Sequence, residues 1–278
     1  MTVKIALAIA PQDAIPSSFV VFRDRLDVSI PKIARMGYDG VELALGHADD
    51  VDRDEVRRLL AEHHLGISAI STGRVFAERQ VTLTSPDPKV RARAVEILCG
   101  LVELAAELGA ARVNIGRVRG GIPDGEASEM AEARFEAGIL AVADQAAPLR
   151  INIVIEPVNR YELNYINSVS PDGVELVRRI GHPNVKLMPD VFHMNIEDAD
   201  IAGSLLAAGS MVGYCHLADS NRWAPGRAHT DFAAIVAALR EIGYDDWVAV
   251  EILPYPSADV AAEEAIAFLR TLVPVAVA

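Results

Sequence analysis

Residues 151–157 read Ile-Asn-Ile-Val-Ile-Glu-Pro, a short apolar run closed by a polar side chain. The form returns three times, as Val-Lys-Leu-Met-Pro-Asp at 185–190, Met-Val-Gly-Tyr-Cys-His at 211–216 and Trp-Val-Ala-Val-Glu at 247–251. Runs this short and rich in Val and Ile are the mark of strands buried on both faces, as in a parallel sheet covered by helices. Upstream, Lys4–Ile9, Gly40–Leu45, Ile67–Ser71 and Arg112–Ile115 have the same character, which predicts eight strands. Helical stretches lie between them. In Lys89–Leu108 the residues Val90, Ala94, Ile97, Leu98, Leu101, Leu104, Ala105 and Leu108 form one apolar stripe at helical period. Gly37, Gly66, Gly109, Gly181 and Gly243 each follow a helical run and precede a strand, where the left-handed geometry that ends a helix is expected. Eight strand-then-helix units, undivided by any linker or low-complexity stretch, predict an α/β fold: a single (β/α)8 barrel domain over residues 1–278. A doubly wound open sheet is the weaker reading, because the first strand runs into Ala10-Pro11-Gln12-Asp13 and not into a glycine-rich phosphate turn.

Composition narrows the function. The chain carries 39 Asp and Glu against 26 Lys and Arg, a net charge of −13, which counts against a nucleic-acid partner. Its longest apolar runs fall far short of the ~20 residues that cross a bilayer, so no membrane partner is expected. Ile5–Ala10 after Lys4 reads as a first strand in preference to a stunted leader. Two cysteines, Cys99 and Cys215, cannot build a disulfide framework, and a reducing, cytoplasmic location is expected.

In a barrel the catalytic groups sit at the C-terminal ends of the strands, where the loops form an open mouth. Strands five to eight end in Glu156, Asp190, His216 and Glu251, at spacings of 34, 26 and 35 residues. One such carboxylate could equally be salt-bridged or cap a loop. Three carboxylates and an imidazole brought to one rim repel each other unless a cation lies between them. Oxygen and nitrogen donors without a thiolate favour Mn²⁺, Co²⁺ or Mg²⁺ over a structural zinc. Just beyond these residues come Glu162, His193 and Arg222, on loops within reach of anything bound to the metal; His193 is also a candidate fifth ligand. No Gly-x-Ser-x-Gly element occurs, and Cys215 points away from the rim if His216 points toward it.

On these residues the chain resembles the xylose isomerase-like TIM barrel superfamily, and within it the ketose 3-epimerase branch typified by D-tagatose 3-epimerase. The resemblance spans the chain in strand and helix order and is sharp from Glu156 onward. It implies one divalent metal, most often Mn²⁺, held by Glu156, Asp190, His216 and Glu251, with no organic cofactor. It implies a sugar substrate positioned by Glu162, His193 and Arg222, and a homodimer or homotetramer. It also implies the reaction: the metal polarises a C2 carbonyl, a cis-enediolate forms, and Glu156 and Glu251 act as opposed acid and base on the two faces of C3. A keto-inositol isomerase or dehydratase, a hydroxypyruvate-type isomerase and a 3-keto-glycoside 4-epimerase would use the same ligands. An endonuclease-IV-like phosphodiesterase needs extra histidines where Ser71 and Ile115 stand, and a non-catalytic barrel would leave four assembled ligands without a task.

The remaining landmarks are weaker. His63 and His64 end a helix and His182 lies in a connection at the bottom face, so these read as structural. Glu42 and His47 lie near the rim and read as packing and loop residues. His229 sits on a top loop and is a lesser candidate for the site. Arg117 and Arg119, where an aromatic wall would suit a close tagatose-epimerase relative, either meet a phosphate or carboxylate or are solvated. Trp223 is favoured over Trp247 to close a pocket.

Overall fold

In the computed structural model, which describes residues 3–15 and 19–273, eight parallel strands curl into one sheet. They are β1 (Lys4–Ala10), β2 (Gly40–Ala44), β3 (Gly66–Ser71), β4 (Arg112–Ile115), β5 (Asn152–Ile155), β6 (Val185–Leu187), β7 (Cys215–Leu217) and β8 (Trp247–Val250). The ladders run β6-β5-β4-β3-β2-β1-β8-β7. The seam between β6 and β7 is closed by two isolated parallel bridges, Leu187 with Val212 and Asp190 with His216. There the Gly213 N–H donates to Leu187 O at 2.8 Å and the His216 N–H to Pro189 O at 2.9 Å. Pro189 has no N–H of its own, so the ladder breaks at this point and both strands come out shorter than their apolar runs. Met211, expected to open strand seven, closes a 3₁₀ turn over Gly209–Met211. A two-residue strand, Phe22–Arg23, pairs with the end of β1 in addition to the eight.

Ten helices surround the sheet: α1 (Leu26–Met36), α2 (Arg53–Glu62), α3 (Gly73–Arg79), α4 (Pro88–Leu108), α5 (Ser128–Ala146), α6 (Val174–Ile180), α7 (Val191–Glu197), α8 (Ile201–Ala208), α9 (Phe232–Glu241) and α10 (Ala258–Leu272), counted among the described residues. None of them is long and apolar enough to cross a membrane. α4 buries the expected stripe from Ala94 to Leu108 and stops at Gly109, whose φ of 81° only glycine adopts freely. Gly66 departs from expectation. The turn after α2 is taken in left-handed geometry by His64, and Gly66 opens β3 beneath the Trp247 indole. A Cβ there would lie 2.7 Å from the ring, so the glycine serves packing and not helix termination.

The barrel interior explains where function sits. Ala6, Ala69, Val154, Met188, Tyr214 and Ala249 are fully buried and pack together inside it, with Trp247 against them. Strand side chains alternate with period two. Two residues beyond Val154, Met188, Tyr214 and Ala249 stand Glu156, Asp190, His216 and Glu251. The apolar layer is therefore the floor on which those four residues rest.

Candidate metal and acid–base site

The structure brings all seven sequence-predicted residues to one end of the barrel. Glu156 Oε1 lies 3.5 Å from His193 Nε2, and Asp190 Oδ2 lies 3.8 Å from that same nitrogen. His216 Nδ1 faces Asp190 Oδ2 at 4.0 Å and Glu251 Oε2 at 3.8 Å. Arg222 pairs with Glu251 and stands 3.8 Å from both Asp190 and Glu162. Potential ligand atoms fall into two tight groups, Glu42–His216–Glu251 and Glu156–Asp190–His193, linked through Asp190 Oδ2 and His216 Nδ1.

Local structure orients each donor. Asp190 caps the N-terminus of α7, its Oδ1 accepting from the Phe192 N–H at 2.8 Å, which leaves Oδ2 for the barrel axis. His216 Nε2 is 2.8 Å from Glu42 Oε2, which leaves Nδ1 inward. Asn159 Nδ2 approaches His193 Nδ1 at 2.7 Å, leaving Nε2 inward. Asp190 Oδ2 and His216 Nδ1 are buried and without any hydrogen-bond partner. Unpartnered buried polar atoms are costly, and a cation between them, displacing any hydrogen on the imidazole nitrogen, would satisfy both. The charge balance agrees, because the ion pairs at the centre set the carboxylates of Glu42, Glu156, Asp190 and Glu251 against the Arg222 guanidinium and the imidazoles of His193 and His216. The donor set therefore suits a hard or borderline divalent cation.

The electrostatics split the two glutamates. Burial works to raise the Glu156 carboxyl, yet His193, His216 and Arg222 outweigh it and hold the group at about 2. Burial raises Glu251 to about 7, Glu156 and Asp190 adding to the shift and Arg222 and His216 opposing it. His216 is pushed up to about 10: burial disfavours its charge, but Glu42, then Glu251 and Asp190, favour it more. His193 is raised too, Asp190 and Glu156 overcoming burial.

Around this centre Arg222 is clamped between the Phe19 ring at 4.1 Å and the Phe192 ring at 4.7 Å. Its backbone φ of 60° is held by a loop wound on Asp219, a carboxylate that accepts from the N–H groups of Ser220, Gly226, Ala228 and Thr230 at 2.8–3.1 Å. A small cavity of about 50 Å³ opens beside Glu251, lined by Phe19, Val20, Ala44, Ser71, Arg74 and Arg117 among others.

Several secondary expectations change. Glu42 is not a packing residue but the fully buried partner of His216. A charged side chain within an otherwise apolar strand was the available signal. Arg119 is neither solvated nor an anion site, since it is wholly buried and donates to the carbonyls of Glu156, Tyr165 and Ile166. Arg117 lines the cavity, stacks on Phe76 and lies 3.9 Å from Glu162. Trp223 stacks on Tyr255 at 3.9 Å, and the aromatic side chain lining the cavity is Phe19. His229 is exposed and bonded to Ser220, and His47 caps a short 3₁₀ turn. Asn159 and Asp219 escaped sequence reading, a neutral amide and a loop acid having no periodicity to betray them.

Comparison with known proteins follows the same lines. A family model described as xylose isomerase-like TIM barrel matches residues 30–272. An L-ribulose 3-epimerase of Methylomonas sp. (strain DH-1) is 37% identical over 218 residues, 78% of this chain and 74% of that one. A ketose 3-epimerase of Arthrobacter globiformis is 33% identical, covering 80% of this chain and 76% of its own. Among solved structures, D-allulose 3-epimerase from Methylomonas sp. in complex with D-allulose superposes with a TM-score of 0.82 at 27% identity, over 97% of each chain.

Proposed function

The chain belongs to the xylose isomerase-like TIM barrel family, and from that premise we propose that it is a divalent-metal-dependent sugar isomerase that inverts C3 of a ketose. The observation that carries the reading is the pair Glu156 and Glu251, on either side of a centre whose remaining donor atoms, Asp190 Oδ2 and His216 Nδ1, have no partner. Glu156, Asp190, His216 and Glu251 would hold the cation, Mn²⁺ by preference. When bound, that ion supplies Lewis-acid polarisation of the C2 carbonyl, which acidifies the C3 proton.

The rest falls to the chain. Inversion through two groups needs one carboxylate to take a proton and one carboxyl to give it. The metal-free chain already treats the two glutamates unequally, His193, His216 and Arg222 pushing the Glu156 carboxyl down while burial pushes the Glu251 carboxyl up. Arg222 and His193 face the oxygens at C1 and C2 and stabilise negative charge that develops there. Glu162, bonded by Asn159 at 3.3 Å, accepts from a substrate hydroxyl. Phe19 and Phe192, pressed on Arg222, keep water from its faces.

The whole chain would act as one domain, in the cytoplasm, as a homodimer or homotetramer; the two buried free cysteines suit a reducing compartment. Light scattering checks the assembly. The test of the reaction is incubation of Mn²⁺-loaded protein with free ketoses and chromatography of the products. A C3 epimer whose formation a chelator stops supports the reading. A 4-epimer from a 3-keto-glycoside, the reaction named for an Escherichia coli relative 33% identical over 113 residues, would move the stereocentre and keep the site.

A further inference from the structure

We propose that Glu42 is the positioning residue of the metal centre: from inside β2 it fixes His216 with hydrogen on Nε2 and so aims the unprotonated Nδ1 at the cation. The inference rests on the metal-site reading above and extends it to a residue outside the four ligands. Neutral imidazole has two tautomers, and only the nitrogen without hydrogen can bind a metal; which one that is depends on the hydrogen bond the other makes. Here Nε2 is 2.8 Å from Glu42 Oε2, while Nδ1 is buried, unpartnered and turned toward Asp190 and Glu251.

Three features indicate that the pair is built. Glu42 and His216 are 0% and 1% exposed, so water cannot substitute for either. The chain is irregular at this spot. Val41 pairs with Ile67 but Glu42 pairs with Ala69, making Ser68 an extra residue in β3. Such a bulge re-aims neighbouring side chains and recurs next to active sites. Finally, the Ser68 hydroxyl reaches both Val41 O, at 3.2 Å, and the Tyr214 hydroxyl, at 2.6 Å. The Tyr214 ring in turn meets the His216 ring edge-on at 5.4 Å. The bulge thus braces both the strand that carries Glu42 and the ring that Glu42 orients.

Burying a carboxylate here costs stability that an apolar residue would not. The return is a ligand held in one tautomer and made more basic. Loss of such a partner typically weakens metal binding by about 10–100-fold.

The test is metal affinity, measured by competition with a chromogenic chelator and independent of sugar turnover. Glu42→Gln, with its melting checked, is expected to bind Mn²⁺ and Zn²⁺ about 10–100-fold more weakly. Glu42→Asp, which keeps the charge on a shorter stem, should recover part of the loss. Binding by Glu42→Gln as tight as wild type overturns the proposal. Should Glu42→Gln fail to fold, the wild-type protein decides: nitrogen NMR of the Zn²⁺-loaded form is expected to show His216 with hydrogen on Nε2. Hydrogen on Nδ1 overturns the assignment. A wild-type protein that binds no divalent cation overturns the metal-site reading itself, a result distinct from a wild type that binds and a variant that binds equally.

Discussion

The two halves of the barrel rim differ sharply. β7 carries His216, and β5, β6 and β8 are followed within three residues by Glu156, Asp190 and Glu251, whereas β1 to β4 end in Ala10, Ala44, Ser71 and Ile115. The first set gathers charge around one point. The second leaves space, since Ala44 and Ser71 line the cavity together with Gly73 and Ala77. One half is therefore suited to reaction and the other to the shape of what reacts. The division is not complete, because the charged half leans on the neutral one. Arg119, just after β4, holds the Glu156 carbonyl, Glu42 in β2 holds His216, and a Cβ at Gly116 would collide with Glu156 Oε2.

Substitutions on the charged side should have the largest effect. Glu156→Gln and Glu251→Gln are each expected to lower kcat by about 10³-fold or more with the barrel still folded, as measured by turnover and circular dichroism. Near-wild-type turnover in either would erase the functional division between the halves. Next comes the metal. In the metal-free protein His216, at about 10, and the Glu251 carboxyl, at about 7, hold protons at neutral pH that a cation must displace. Uptake should thus release protons, and apparent affinity should rise with pH by about tenfold or more per unit below pH 7. Titration calorimetry in two buffers of different ionisation heat reads the proton count, and an affinity that falls as pH rises would be the wrong sign.

Gly116→Ala asks how far the charged half depends on its neighbour. It displaces Glu156 without removing it, and a fall in kcat of about 10²-fold is expected, in line with the cost of small misplacements at a reacting centre. Smallest of all should be Ala44→Val on the open side. Added bulk in the cavity is expected to raise KM a few-fold for the larger of two ketoses while kcat changes little, a pattern of lost ground-state binding. A kcat loss with unchanged KM there would mean that the open side also takes part in the reaction.

How much of this was readable from the residues follows the same division. Glu156, Asp190, His216 and Glu251 each end an apolar run, and period two alone places them above the packed layer of Val154, Met188, Tyr214 and Ala249. Glu42 lies within its strand, where an end-of-run rule does not look, although an acid among buried neighbours is itself a signal. Arg117 and Arg119, two positions apart, looked alike; the 3₁₀ turn over Arg117–Arg119 directs one into the cavity and the other under β5. Gly66 satisfied the sequence rule for a helix stop and met a different need, the closeness of Trp247. The contact of Asn159 with His193 joins distant segments and arises from the packing of neighbouring loops, while Asp219 winds its own loop through backbone N–H groups that no side-chain pattern announces.

The most direct test of the two-glutamate reaction is the position of solvent hydrogen in the product. Mn²⁺-loaded protein incubated in D₂O with a ketose, the metal then removed for NMR, should yield the C3 epimer with deuterium at C3. The ketose recovered should carry deuterium at the same carbon. Deuterium at C1 with an aldose product, or C3 epimer formed without any deuterium, would contradict proton transfer by Glu156 and Glu251 across C3.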